Sequence, residues 1–183
     1  KARQYLVAFL QFTYPGAPTL YYGDEIGMVG IDDPDDRRAM EWGKGNKELV
    51  EWYAKLAAIR AEYPALRTGD ISCRESGNTA VLAFERYDAH NHLVVFANNA
   101  QTAQRIELDG NAYTDLVSGK VYTDSVEIPA MSGVILIASD AAKTITVDNE
   151  GLKPAYDPAY IVGERTVADM VYAIEGDETE YAF

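Results

Sequence analysis

The sequence predicts a piece of α/β architecture followed by an all-β module. Two observations carry this. Residues 1 to about 66 show a helical apolar pattern, a short continuous apolar run and a second helical pattern; from about residue 70 the apolar period falls to two. The chain has 183 residues, 48% of them hydrophobic, which is enough for one good core or two small ones.

Taken in order, "YLVAFLQF" is apolar nearly all round, as a helix buried between a sheet and other elements would be. Pro15, Gly16 and Pro18 then punctuate a turn. "TLYY", residues 19 to 22, reads as a strand buried on both faces in a parallel sheet. A long polar loop, "GMVGIDDPDDRRAMEWGKGN", leads to the clearest element. There Leu49, Trp52, Tyr53, Leu56, Ile59 and Tyr63 recur at helical spacing, Asn46 is placed to cap the start, and Pro64 ends it.

From residue 79 onward, "TAVLAFERY", "HLVVFAN", "AQRIEL", "AYTDLVSG", "KVYTDSVEIP" and "GVILIA" are short strand-like runs divided by turn signals, with a tight hairpin at Gly119. Such spacing suggests an antiparallel sandwich. Three zones follow: 1–66, 67–138 and an acidic stretch at 139–183 that begins another segment, straps the surface or is partly disordered. The first zone holds one strand, and a lone parallel strand has no ladder partners. Together with an opening inside a helix and without Met, this points to a piece of a longer protein.

Sixteen basic against 29 acidic residues leave a formal net charge of −13, which argues against nucleic acid or an anionic membrane as the main partner. No run approaches the ~20 apolar residues of a membrane helix, and no signal peptide is visible. Cys73 is the lone cysteine, so no intrachain disulfide forms; that fits the cytoplasm without excluding secretion. His90 and His92, the two histidines, lie in a polar stretch without further ligands, so exposed imidazoles near a turn are expected rather than a metal site.

Two groups of residues invite chemistry. Asp24 and Glu25 follow the apolar run directly, but neighbours on an extended strand point to opposite faces and cannot flank one bond. The plainer reading is that they fix the loop by accepting hydrogen bonds. In "IDDPDDRRAMEW", Asp33 and Arg37 stand four apart around Pro34. An acceptor beside a planar donor fork suits adjacent sugar hydroxyls, and a self-paired, solvated loop is the competing reading. The carboxylate spacing is not that of an EF-hand. Phosphate loops, nucleophile elbows, zinc spacings and dinucleotide fingerprints do not occur.

"FLQFTYPGAPTLYYGDEIGMVGIDDPDDRRAMEW", then "LAAIRAEYPALRTGDI" and "DLVSGKVYTDSVEIPAMSGVILI", resemble the α-amylase family of glycoside hydrolases (family 13), in particular its neopullulanase, cyclomaltodextrinase and maltogenic amylase branch. The match runs from residue 1 to about 138. It implies the end of a (β/α)8 barrel, with residues 1–13 as helix seven, 19–22 as strand eight and 46–62 as helix eight, followed by a C-terminal β-sandwich. It further implies a retaining hydrolase acting on α-1,4 and, as a second option, α-1,6 glucosidic bonds of maltooligosaccharides, related α-glucans or cyclodextrins. The family's nucleophile, acid and third carboxylate lie on earlier strands, the last in an Asn-His-Asp motif absent from this sequence, so no catalytic residue is expected here. By resemblance Asp33 and Arg37 contact sugar, while Tyr22, Gly23, Asp24 and Glu25 shape the site. No cofactor or metal is expected; calcium in the parent enzyme has no support in these residues.

The competing function is a non-catalytic sandwich for carbohydrate binding or domain packing, with Tyr87, Tyr113 and Tyr122 as candidate platforms or, more plainly, half-buried strand residues. On either reading the first 65 residues would expose apolar surface that the rest of a barrel would cover, and a homodimer is one way to hide it.

Overall fold

A computed structural model describes residues 2–147, and these belong to one compact unit. The part of the acidic stretch from residue 148 onward lies outside the described residues. Three helices, α1 (Ala2–Thr13), α2 (Lys47–Glu62) and α3 (Ala65–Thr68), precede eight strands. These are β1 (Asp70–Arg74), β2 (Val81–Tyr87), β3 (His92–Asn98), β4 (Gln104–Glu107), β5 (Tyr113–Asp115), β6 (Val121–Tyr122), β7 (Ser125–Ile128) and β8 (Ser132–Ala138).

The strands form a six-stranded sheet in the order β1-β2-β3-β8-β5-β6 and a two-stranded sheet of β4 and β7, and all pairings are antiparallel. The large sheet is the middle layer. On one side Phe84, Leu93, Val95, Ala97, Ile135 and Ile137 join a core with the helices. On the other, Val81, Ala83, Val94, Phe96, Val134 and Leu136 meet Ile106, Val126 and Ile128 of the small sheet. Strands β3 and β8 are apolar without alternation because both of their faces are buried. Buried Asn98 ends β3 and binds the small sheet to it, donating from Nδ2 to the carbonyls of Ile128 at 3.1 Å and Pro129 at 3.0 Å.

α2 follows its apolar stripe: Leu49, Tyr53, Leu56, Ile59 and Tyr63 are buried. Asn46 caps its start, accepting from the Leu49 amide at 3.3 Å. α1 lies across β3 and β8 with Leu6, Phe9 and Phe12 inward. It is not buried all round as expected: Val7 is 61% exposed, because α2 and the sheet together cover only part of it. At β8 a glycine is required, since a Cβ on Gly133 would overlap the Phe9 ring.

The strand expected at residues 19–22 is not formed. Among the described residues no strand lies alongside to complete its ladder, and Leu20, Tyr21 and Tyr22 are exposed. Val29 and Ile31 are exposed as well, so apolar surface concentrates in the early part of the chain.

Two buried arginines hold α1 against the rest. Arg60 of α2 donates to the carbonyl of Phe12 at 2.7 Å and also to that of Gly16. Arg86 of β2, fully buried, donates to Thr13 at 2.7 Å, Gly69 at 3.1 Å and Asp70 at 3.2 Å. The last carbonyls of a helix have no partners within it and carry its negative dipole end, so guanidinium groups satisfy both needs. Burial pushes both guanidinium pKa values down, and in each case a second arginine adds to the effect. Further on, residues 139–147 return to α2: the Lys143 amide donates to the Tyr63 hydroxyl at 2.8 Å, and Lys143 Nζ to Glu62 at the same distance.

Arg86→Met should lower stability in urea unfolding by about 3 kcal/mol, because it strands carbonyls in a dry joint. Arg86→Lys should recover only part, since an ammonium lacks the planar fork. A loss below about 1 kcal/mol in Arg86→Met would show that the carbonyls find water instead.

Candidate functional site

The loop between α1 and α2 begins with a turn built on Gly23. Its φ of 92° is left-handed, and a Cβ there would also stand 2.5 Å from the Met28 sulfur. A short 3-10 turn, Asp24–Ile26, follows, and both acidic side chains close it. Asp24 Oδ2 accepts from the Tyr21 amide and Glu25 Oε2 from the Gly23 amide, each at 3.1 Å. The pair is therefore engaged by backbone. The turn is fastened to both helices: Gln4 Nε2 donates to the Asp24 carbonyl at 2.8 Å, and the Asn46 amide donates to the Ile26 carbonyl at 2.9 Å.

The acidic loop has a second 3-10 turn, Asp35–Arg37, and two ion pairs in succession. Arg37 donates through Nε at 2.8 Å and through Nη2 to one oxygen of Asp33, Oδ1. Asp33 Oδ2 and Arg37 Nη1 have no partner among the described residues. Both side chains are about two-thirds exposed, at 65% and 64%. Arg38 Nε donates to Asp35 Oδ1 at 2.6 Å, and the Ile31 amide donates to Asp35 Oδ2 at 3.1 Å. The Tyr22 hydroxyl joins the two halves by donating to the Arg38 carbonyl at 2.8 Å. Desolvation by its neighbours, and then Tyr21 and Asp36, push the Tyr22 phenol pKa up against the opposing pull of Arg37.

Between these halves is a cleft of about 280 Å³ lined by Tyr21, Tyr22, Asp24, Met28, Asp36 and Arg38 among others. Tyr21 and Tyr22 stand at its side with ring centroids 4.7 Å apart. Of the residues singled out in the sequence, Tyr22, Gly23 and Asp24 line this cleft; Asp33, Arg37 and Glu25 do not, although they belong to the same loop. Asp35 and Arg38 were not singled out, and their pairing at spacing three beside the Asp33–Arg37 pair is the signal that could have revealed them. Among the described residues, no three His, Cys, Asp or Glu side chains gather as a metal site.

The Arg38 hydrogen bond, helped by the Ile31 amide, holds Asp35 below the usual carboxylate range. Because the folded pKa is depressed, its contribution is complete above the ordinary carboxylate pKa and is lost as pH falls through the lowered value. Acid titration should therefore move the Ile31 amide NMR signal with a midpoint below that of an ordinary Asp. In Asp35→Asn that movement should vanish.

No protein-family model matches the chain. An amylopullulanase of Thermoanaerobacter thermohydrosulfuricus is 36% identical over 163 residues, covering 77% of this chain and 11% of its own length. A cyclomaltodextrinase of Geobacillus thermopakistaniensis is 32% identical over 147 residues, covering 74% of this chain and 25% of its own. The chain thus spans about a tenth to a quarter of these relatives. The crystal structure of an Anoxybacillus α-amylase superposes with a TM-score of 0.69 at 29% identity, covering 78% of this chain and 33% of that one. Similarity at this level in both sequence and structure extends over about three quarters of the chain, and the chain belongs to the α-amylase family of glycoside hydrolases.

Proposed function

We propose that this chain is the C-terminal portion of a retaining α-glucan hydrolase, and that its acidic loop contacts sugar. In that enzyme residues 19–22 would pair with neighbouring strands as the last strand of the barrel, with α1 and α2 flanking it. The bond cleaved is α-1,4, with α-1,6 as the second option. Cleavage with retention uses a carboxylate nucleophile and a carboxylic acid-base group about 5–5.5 Å apart. On this reading they come from earlier barrel strands, and the chain by itself binds without cutting.

The observation that carries the reading is the half-open pair in the acidic loop. Among the described residues Asp33 has one acceptor oxygen and Arg37 one donor nitrogen without a partner, and their mutual ion pair orients both. Neighbouring hydroxyls on a glucose ring donate to the first and accept from the second. The exposed Tyr21 and Tyr22 rings and the adjoining cleft add an apolar wall of the kind that receives a sugar face.

Titrating maltotriose into the chain should shift the amide NMR signals of residues 31–38. Arg37→Ala or Asp33→Ala should weaken that response about tenfold or more, since each removes a charge-assisted hydrogen bond of about 1.5–3 kcal/mol. Unchanged affinity in both variants would remove sugar from this loop.

A further inference from the structure

The small sheet covers only part of the large sheet's outer face. Residues directly opposite each other in antiparallel strands share a face, so the register maps this side in rows. Phe96, paired with Ala83 and Val134, is covered, as is Val94 with Leu136. Toward β1 the rows run out from under the cover. Val94 continues into Glu85 and Ser72, and the last row is His92, Tyr87 and Asp70.

We propose that this corner, which the small sheet leaves open, is a second binding site, one that takes a neutral saccharide chain. That the saccharide is an α-glucan rests on the function proposed above. The corner forms a shallow, open depression of about 440 Å³ lined by Ser72, Glu85, Tyr87, Asp88 and His92, the shape of a surface platform rather than of an enclosing pocket. Tyr87 is 37% exposed and offers a ring, with His92 edge-on at 5.9 Å between centroids. Glu85 anchors the floor: Oε1 accepts from Arg74 Nη1 at 2.7 Å, and Oε2 contacts His92 Nε2 at 3.0 Å and accepts from Ser72 Oγ at 3.4 Å. Each polar group is thereby oriented before any ligand arrives.

The chemistry favours hydroxyls over charges. Burial acts to raise the Glu85 pKa, but hydrogen bonds from Arg74 and His92 outweigh it and the net shift is downward; the amide of His90 chiefly lowers that of Asp88. Both stay ionised as acceptors. Arg74 is already paired with Glu85, and Asp88 adds a second carboxylate, so the corner has no excess positive charge to hold phosphate or sulfate. An aromatic face beside oriented acceptors and donors suits the apolar side and the hydroxyl rim of a sugar ring.

The protein's two histidines supply the test. His92 lines the corner, whereas exposed His90 lies in the turn before β3. Adding maltoheptaose to the full chain at millimolar concentration should shift the His92 imidazole signals saturably and leave those of His90 nearly still. Tyr87→Leu should weaken the response about tenfold while the shifts of residues 31–38 persist. Absence of a His92 shift in the unsubstituted protein overturns the proposal, as does a response that survives Tyr87→Leu. Shifts confined to residues 31–38 would sink the corner and keep the loop; shifts confined to His92 would do the reverse. An equal response to cellohexaose would overturn the assignment to an α-glucan.

Discussion

The end of the first helix is held against the rest of the chain by carbonyl groups meeting guanidinium groups. Arg60 and Arg86 converge on the final turn of α1 from two different elements, a helix and a strand. Each satisfies main-chain acceptors that would otherwise be dry and unpaired. Their partners are dipoles rather than carboxylates, so the joint needs no matching anion whose own burial would have to be compensated. Helix and sheet can then share one core, with Phe9 seated over Gly133 on one side of the joint and Tyr14 packed edge-on to Phe84 on the other.

The same joint positions the loop that carries the proposed sugar contacts. Gln4 of α1 and Asn46 at the head of α2 fasten opposite sides of the Asp24–Ile26 turn, and Tyr22 ties that turn to Arg38. Asp24 and Glu25 serve the loop's geometry, leaving the more exposed Asp33 and Arg37 to face solvent. Cleft and ion pairs thus depend on packing at their base, while the groups offered to a ligand stand at the rim.

Much of this was legible in the residues. α2 announced itself because one apolar stripe, an Asn cap and a Tyr-Pro stop agree with one another. β2, β3 and β8 were equally plain, as apolar runs bounded by turns. What could not be read depends on partners distant in sequence. Residues 19–22 have the composition of a buried strand, yet a strand is a property of a pair, and none of the described residues supplies the second member. β1, "DISCR", has an exposed, mixed pattern and becomes a strand through its ladder with β2. Two arginines in apolar runs gave no sign of burial, because only the folded chain brings the end of α1 to them. In the loop, the order of acids and bases showed that pairs would form but not which oxygens they would leave open.

The partial cover on the large sheet has an evolutionary consequence. Beneath β4 and β7 a residue faces close-packed neighbours, and a change of even one methylene is felt by the whole layer. At the corner around Tyr87 no layer of the described residues presses down. Substitutions there disturb the core less, so what constrains that corner is the ligand it would hold rather than the packing beneath it. Of all the outer face, it is the region best suited to gaining or losing a specificity.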